Sequence, residues 1–269
     1  MMVLRGGGEP LQQDNVFRLN FNSVVAISIR DMMERYGRSN IGFLWAFVEP
    51  LLLAVGVMVV WSVMKSGYEH GISLLTMVFT GYLPLTLWRH ITGGAVNLFP
   101  GSFALLYHRK VSLADIIVAR TVSEFAATTA STLLTYFVLL LFNLVKPIER
   151  PDLVIAGWLL MAWLSTCALT MFACICARWP ATGRFFAAFQ YLLLPISGTF
   201  FLLEWLPSSA RELISYNPLV HCYEIIREGY FGSQVTTYFT PSYVVISGLV
   251  MAIIGVSMMR SVREELSGH

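Results

Sequence analysis

Residues able to do covalent or metal chemistry are sparse in this 269-residue chain and poorly spaced for it. Its five histidines fall in different segments with no partners at ligand spacing, and neither H-E-x-x-H nor G-x-S-x-G occurs. G-x-x-x-x-G-K-[ST] is missing too, so this chain has no P-loop with which to bind ATP. Cys167, Cys174 and Cys176 share one apolar stretch and Cys222 lies further on. Cys174-x-Cys176 lacks a second ligand pair, and the cysteines read as small packing residues of a membrane helix. No residue is assigned as catalytic or as a metal ligand. What stands out instead is charge placed in or beside apolar sequence: Glu49 before Pro50, Arg89 after Trp88, Arg120 one turn from Glu124, and Glu204, Glu224, Arg227 and Glu228 late in the chain. A carboxylate at the bilayer centre costs roughly 2.5–3.5 kcal/mol, so such groups sit near an interface, pair, or line a path. Glu49 keeps two readings, one beside the cytoplasmic headgroups and one facing protein or pathway. Arg89 likewise reads as part of an anchor or as lining an anion path.

The elements that must position these residues are helices in a membrane. The chain is 56% hydrophobic and 13% charged, against about a quarter charged in soluble domains. A formal net charge of +2, with its cations dispersed, argues against nucleic acid as a partner. The first twenty residues are polar and Gly-rich with no apolar h-region, so insertion is expected to rest on internal spans. Six stretches can each cross a hydrocarbon core of about 30 Å. They run approximately 43–64, 72–87, 113–145, 153–177, 185–203 and 243–259. The second is short unless it continues through Trp88–Phe99, and carries Gly81 and Pro84, which predict a kink. The third is longer than needed, so its first turns are expected to project into water. In it Ala126, Ala127, Ala130 and Ser131 give small-xxx-small spacing. In the fifth, the run Pro195-Ile-Ser-Gly198 predicts a broken helix near mid-membrane, tolerated only against protein or a water-filled cavity.

Orientation follows from the cations. Arg5, Arg18, Arg30, Arg35, Arg38, Arg89, Arg109, Lys110, Arg178, Arg184, Arg260 and Arg263 fall on one side of the six-span arrangement. Lys65, Lys146, Arg150, Arg211 and Arg227 fall on the other, with Arg120 near a boundary. Both termini are therefore expected in the cytoplasm. Residues 1–42 read as a cytoplasmic N-terminus carrying an amphipathic interface helix. Val25, Ile29, Met32 and Tyr36 share one face and Ser28, Asp31, Arg35 and Arg38 the other, and Gly37 can end the helix. Residues 43–260 read as the six-span domain, with a cytoplasmic loop at 100–112 and an outer helical hairpin at 204–240; residues 261–269 form a cytoplasmic tail. In the loop, Phe103, Leu106 and Tyr107 would share a face of a short helix trailed by His108, Arg109 and Lys110. Ser112-x-x-Asp115 reads as the capping box of the next helix. Two short amphipathic helices split by Asn217-Pro218 are expected in the hairpin, too short to span, lying at the outer surface or dipping in as a re-entrant pair. In the second, Leu219, Cys222, Tyr223, Ile226 and Tyr230 form a face, with Glu224, Arg227 and Glu228 off it.

Two stretches resemble a known family. RDMMERYGRSNIGFLWAFVEPL is similar to the lead into the first span of type-2 ABC exporter permeases, through Arg35-Tyr36, Ser39, Ile41-Gly42, Trp45 and Pro50. LPISGTFFLLEWLPSSARELISYNPLVHCYEIIREGYFG is similar to their capsular-polysaccharide branch, through Pro195-Ile-Ser-Gly198, Leu206-Pro207, Asn217-Pro218-Leu219, Glu224, Arg227, Glu228 and Gly229.

The resemblance implies an all-α membrane permease rather than an enzyme. It would be a homodimer joined to two separate ATPase subunits that hold ATP and Mg, with no cofactor in this chain. It implies export of lipid-linked capsular polysaccharide across a bacterial inner membrane, with handover to a periplasmic adaptor and outer-membrane export proteins. The ATPase-coupling surface it implies is Asp31, Arg35, Tyr36 and Arg38 with Phe103, Tyr107, His108, Arg109 and Lys110. An acidic cargo would favour cations along its path, here Arg89 and Arg120, with Glu49 a further path residue. Sugar rings pack on aromatic faces, so Tyr82, Trp88, Tyr136, Tyr191 and Trp205 are candidate track residues; lipid belt or core is the alternative for each. Another cargo of the same superfamily (O-antigen, teichoic acid, lipid or drug), or an enzyme acting on a lipid-linked substrate, is the competing expectation.

Overall fold

The computed structural model describes residues 20–36, 72–102 and 111–267, with Leu52, Gly56 and the pair Tyr68–Glu69 between them. The predicted first span and most of the 100–112 loop lie outside the described residues. Helix α1 (Phe21–Tyr36) is followed by a small antiparallel pair, β1 (Tyr68–Glu69) and β2 (Ile72–Ser73), in which Tyr68 faces Ser73 and Glu69 faces Ile72. Then come α2 (Leu74–Gly93), α3 (Leu113–Leu141), α4 (Pro151–Arg178), α5 (Thr182–Ile196), α6 (Ser208–Ser215), α7 (Pro218–Phe231) and α8 (Pro241–Ser267). Among the described residues, α3, α4 and α8 are each long and apolar enough to cross a membrane. Helix α5 has 15 residues, about 22 Å at 1.5 Å per residue, and falls short of a hydrocarbon core.

Local chemistry accounts for where the helices begin. The predicted capping box opens α3: Asp115 N–H donates to Ser112 Oγ at 3.0 Å and Ser112 N–H to Asp115 Oδ2 at 2.9 Å. Pro151 starts α4, with Asp152 in its first turn and Arg178 in its last, charges that suit the helix dipole. Asn217 caps α7, its Oδ1 accepting Leu219 N–H at 3.1 Å with Pro218 at the first helical position.

Helix α4 is the spine, packed against α8, α7 and α2. Close approach to α8 depends on small residues: a Cβ on Gly248 would lie 2.5 Å from Trp163 Nε1, and one on Gly255 2.8 Å from Met171 N. Leu87, Ile91, Phe99, Leu113 and Leu164 anchor one buried cluster, and Leu75, Phe79, Leu139, Leu202 and Tyr230 a second. The far face of α8, with Ile246, Leu249, Val250 and Ile253, is exposed.

Two expectations are corrected. The first turns of α3 do not project into water: Leu113 and Asp115 are both fully buried. Helix α1 covers them, because the second carboxylate oxygen of Asp115 accepts Asn20 N–H at 2.7 Å and Ser28 Oγ donates to Ala119 O at 3.3 Å. Ser28 and Asp31 thus pack inward beside Val24 and Ile27, leaving Phe21, Val25, Ile29 and Met33 exposed. Helix α7 is not amphipathic in place, since Glu224 and Arg227 are as buried as its apolar residues. The charges off its apolar face are taken up by backbone groups of a neighbouring segment, as described below. The last helix also runs on to Ser267, into the stretch read as a tail.

Asp115 therefore holds two helix starts with one carboxylate. Asp115→Ala is expected to lower the thermal midpoint of the detergent-solubilised protein, by at least the roughly 0.5–2 kcal/mol of a lost cap. Asp115→Asn, which keeps an acceptor oxygen, should lose less; equal midpoints for all three proteins would contradict this role.

Candidate functional site

Two polar junctions lie inside the helical body, one near the C-terminal end of α2 and one beside Gly81 toward its middle. At the first, Arg120 of α3 reaches Glu124 on the next turn at 2.7 Å and Asp31 of α1 at 3.6 Å. Its Nη2 also donates to His90 O of α2 at 3.4 Å. Glu124 is buried, and its other oxygen lies 3.8 Å from His90 Nδ1, which in turn is 3.4 Å from Thr128 Oγ1. Three helices are tied here through one guanidinium, whose planar fork can serve several acceptors at once. The two candidates Asp31 and Arg120, read from the sequence as coupling and path residues, stand in one cluster.

The second junction is built on α7. Chain leaving α5 turns at Ser197 and passes through Gly198 at φ +90°, a value that favours glycine. From there to Leu203 it makes no α-helix. Arg227, fully buried, donates from Nη1 to Gly198 O at 2.7 Å and Phe201 O at 2.5 Å, and from Nη2 to Thr199 O at 2.8 Å. Glu224, one turn back, accepts Leu203 N–H at 3.2 Å and Tyr238 N–H at 3.1 Å. Glu228 accepts a hydrogen bond from Thr237 Oγ1 and lies 3.8 Å from Arg150. Asn217, at the turn between α6 and α7, donates to Ile196 O at the end of α5 at 2.9 Å. The tip of the hairpin thus meets the end of the broken helix.

His221 closes the same region. Thr240 N–H donates to its Nδ1 at 3.1 Å, which leaves the ring proton on Nε2, 2.8 Å from Ser215 O. The ring is neutral in this arrangement. Burial pushes its pKa below the ordinary histidine value, with the Ser215 carbonyl pulling the other way.

The remaining sequence candidates divide by environment. Trp88 is buried, its Nε1 donating to Gln190 Oε1 at 3.0 Å, and Gln190 donates on to Thr92 Oγ1 at 2.7 Å. Tyr136 is half-buried and accepts Ile148 N–H at 3.1 Å. Tyr82 and Trp205 are half-buried against the two apolar clusters. Arg89 and Tyr191 come together at the surface: the guanidinium sits 5.4 Å from the centroid of a ring that is 65% exposed. Arg35 and Tyr36 fall in the last turn of α1, and their side chains lie outside the described residues. Arg38, Glu49, Phe103, Tyr107, His108, Arg109 and Lys110 lie outside them too. Sequence reasoning missed Gln190 and the close packing at Gly81, whose added Cβ would stand 2.0 Å from Thr199 O. Gln190, an amide within an apolar helix face, was a legible signal.

The arrangement is that of a helical membrane body with polar ties between helices, with no group of three or more metal-ligating side chains among the described residues. The chain belongs to the ABC-2 type transporter family, whose membrane-domain signature matches residues 22–231. Among its relatives, capsule polysaccharide export inner-membrane protein CtrC of Neisseria meningitidis serogroup B is 33% identical, over 87% of this chain and 88% of its own. Capsule polysaccharide export inner-membrane protein BexB of Haemophilus influenzae is 31% identical over 88% and 89%. Polysialic acid transport protein KpsM of Escherichia coli is 24% identical over 93% and 96%.

Two outcomes are expected from the junctions. Glu124→Gln leaves Arg120 short of its nearest charge partner and should cost about 1–3 kcal/mol of stability. Adding Arg120→Met should recover part of that loss, whereas additive losses would deny the coupling. For His221, the folded-state pKa is depressed, so its contribution is present above the ordinary value of about 6.5. It is lost as pH falls through the lowered value in the folded protein. Hydrogen exchange at Thr240 N–H, corrected for the intrinsic rate, should therefore accelerate between about pH 7.5 and about pH 5. His221→Gln should abolish that acceleration.

Proposed function

We propose that this chain is the membrane-embedded permease subunit of an ATP-driven exporter of capsular polysaccharide. The observation that carries it is the ABC-2 match over residues 22–231, joined to relatives at 31–33% identity whose names specify capsule polysaccharide export at the inner membrane. Absence of a P-loop from the sequence supports placing ATP and Mg on a separate ATPase subunit. A relative named for polysialic acid transport supports an acidic polymer as cargo, on a lipid anchor. On this reading the protein works as a homodimer with two ATPases, and hands its cargo to a periplasmic adaptor and outer-membrane export proteins.

The finer assignments follow the same reading. Six spans place both termini in the cytoplasm: 43–64, α2, α3, α4, α5 extended to Leu203 by the non-helical segment that follows it, and α8. Helices α6 and α7 form a re-entrant hairpin from the outer side; α7 is too short to span and its tip bonds the end of α5. Helix α1 rides at the cytoplasmic face with its exposed Val25 and Ile29 toward lipid. Its Asp31, with Arg35, Tyr36 and Arg38, and the loop residues Phe103, Tyr107, His108, Arg109 and Lys110, receive the ATPase stroke. Arg120 passes that stroke from Asp31 to α3. The exposed pair Arg89–Tyr191 is the best-supported cargo contact, since a cation over an aromatic face suits an anionic sugar.

The test is complementation of a capsule-producing bacterium that lacks its own permease. Wild-type protein is expected to restore surface polysaccharide. Arg109→Glu with Lys110→Glu should insert normally, yet lower both co-purification of the ATPase and surface polymer. Cells that stay bare with well-inserted wild-type protein would refute the cargo, and unchanged ATPase recovery would refute the docking loop.

A further inference from the structure

The broken segment after α5 is held by two features that the export reading leaves without a role. One is Arg227, which has no exposed surface and spends its two terminal nitrogens on the carbonyls of Gly198, Thr199 and Phe201. The other is Gly81 of α2, where a Cβ would lie 2.0 Å from Thr199 O and 3.3 Å from Arg227 Nη2. Thr199 is also held sideways, its hydroxyl 2.7 Å from Ser197 Oγ and 3.1 Å from Tyr223 Oη. Residues Ser197–Phe201 therefore keep their shape through side chains of α7 and a missing side chain on α2, not through helical bonding of their own. Carbonyls in an apolar surround cannot be left bare at small cost. The segment is therefore stable as it stands only while Arg227 holds it, and any released arrangement must draw other donors, from water or from the hydroxyls of a passing polymer.

We propose that Arg227 is a positioning residue for export, holding Ser197–Phe201 against Gly81 as a closed constriction that each passing cargo must release. The proposal rests on the permease reading and adds to it the residue that sets the constriction. Lysine cannot replace it, because a compact ammonium lacks the planar fork that reaches several acceptors. Gly81→Ala attacks the same contact from the other side, pushing Thr199 O away while leaving the charge intact.

The experiment uses the complete permease–ATPase complex in the complemented strain, with wild-type export as the control that checks the permease reading itself. Gly81→Ala and Arg227→Lys should each reach the membrane at wild-type level and keep ATPase activity. Each should lower surface polymer about three- to thirtyfold, the span expected of coupling residues. The double variant should be no worse than the worse single one, because both free the same segment. Where Arg227→Lys fails to accumulate, Gly81→Ala decides. A second readout separates positioning from mere folding. Thr199→Cys, in protein whose native cysteines are replaced by alanine, should resist an impermeant maleimide at rest and react during turnover. Adding Gly81→Ala should make it reactive at rest. Wild-type export by Gly81→Ala, or equal labelling of Thr199→Cys at rest and in turnover, would overturn the proposal. Failure of the wild-type control would instead overturn the permease reading.

Discussion

Backbone carbonyls released where a helix breaks inside an apolar body have to find donors, and in this protein one guanidinium supplies them. Each buried carbonyl left bare costs about 1–3 kcal/mol, and stripping water from a guanidinium costs several kcal/mol. Arg227 and the carbonyls of Gly198, Thr199 and Phe201 thus cancel penalties of similar size. Neither side is tolerable without the other. This explains why α7 is buried on all its faces, why Glu224 sits beside it satisfying Leu203 and Tyr238 N–H groups, and why α2 carries glycine at the point of contact.

The Arg120 junction solves a different problem. Arg120, Glu124 and Asp31 are paired charges near the start of a long helix, and their pairing fixes α1 with its polar side against α3. Val24 and Ile27 pack inward with those charges, while Phe21, Val25, Ile29 and Met33 are left outward, more apolar surface than an isolated amphipathic helix would expose in water. Helix α2 touches both junctions, through His90 O near its C-terminal end and Gly81 toward its middle. The nine residue steps from one to the other span about 14 Å of continuous helix. A displacement of α1 therefore has a stiff route to the broken segment, along α2 as well as through the α4 spine. Both junctions are discrete sets of polar contacts, up to 3.8 Å long, and such contacts exchange partners in steps.

Much of this was legible in the sequence, and the reasons are specific. Capping chemistry is local, so Ser112-x-x-Asp115 and Asn217-Pro218 marked the starts of α3 and α7 without any tertiary knowledge. Gly198 after Pro195 marked the break in α5 for the same reason. Burial was legible only where hydropathy decides it. Glu224 and Arg227 looked like the solvated side of α7 because periodicity records polarity and not the partner that consumes it. A break that frees carbonyls and an arginine in the next short helix are each visible along the chain, but their meeting is a tertiary event. The covering of the first turns of α3 was hidden likewise, because it depends on Asn20 reaching a carboxylate far along the chain.

The buried hydroxyls narrow where a hydrated polymer can pass. Thr80, Thr86 and Thr92 on α2 and Ser123 on α3 look like a polar lining when read by type alone. Each donates to a carbonyl of its own helix, to Thr76, Leu83, Trp88 and Ala119 respectively. A hydroxyl satisfied by its own helix can be buried at little cost and asks for no water. These positions are therefore consistent with dry packing of α2 and α3 within one copy. Among the described residues, one polar surface open to an outside group is at the Arg89–Tyr191 side of α2 and α5, where Tyr191 is exposed and the cation rests on its ring. Phe185, Phe189 and Leu192 extend that exposed face along α5. A cargo path proposed there is closed on one side by this chain alone, so on this reading its far wall must come from a second copy, and α5, the helix that breaks, would be the one facing the cargo.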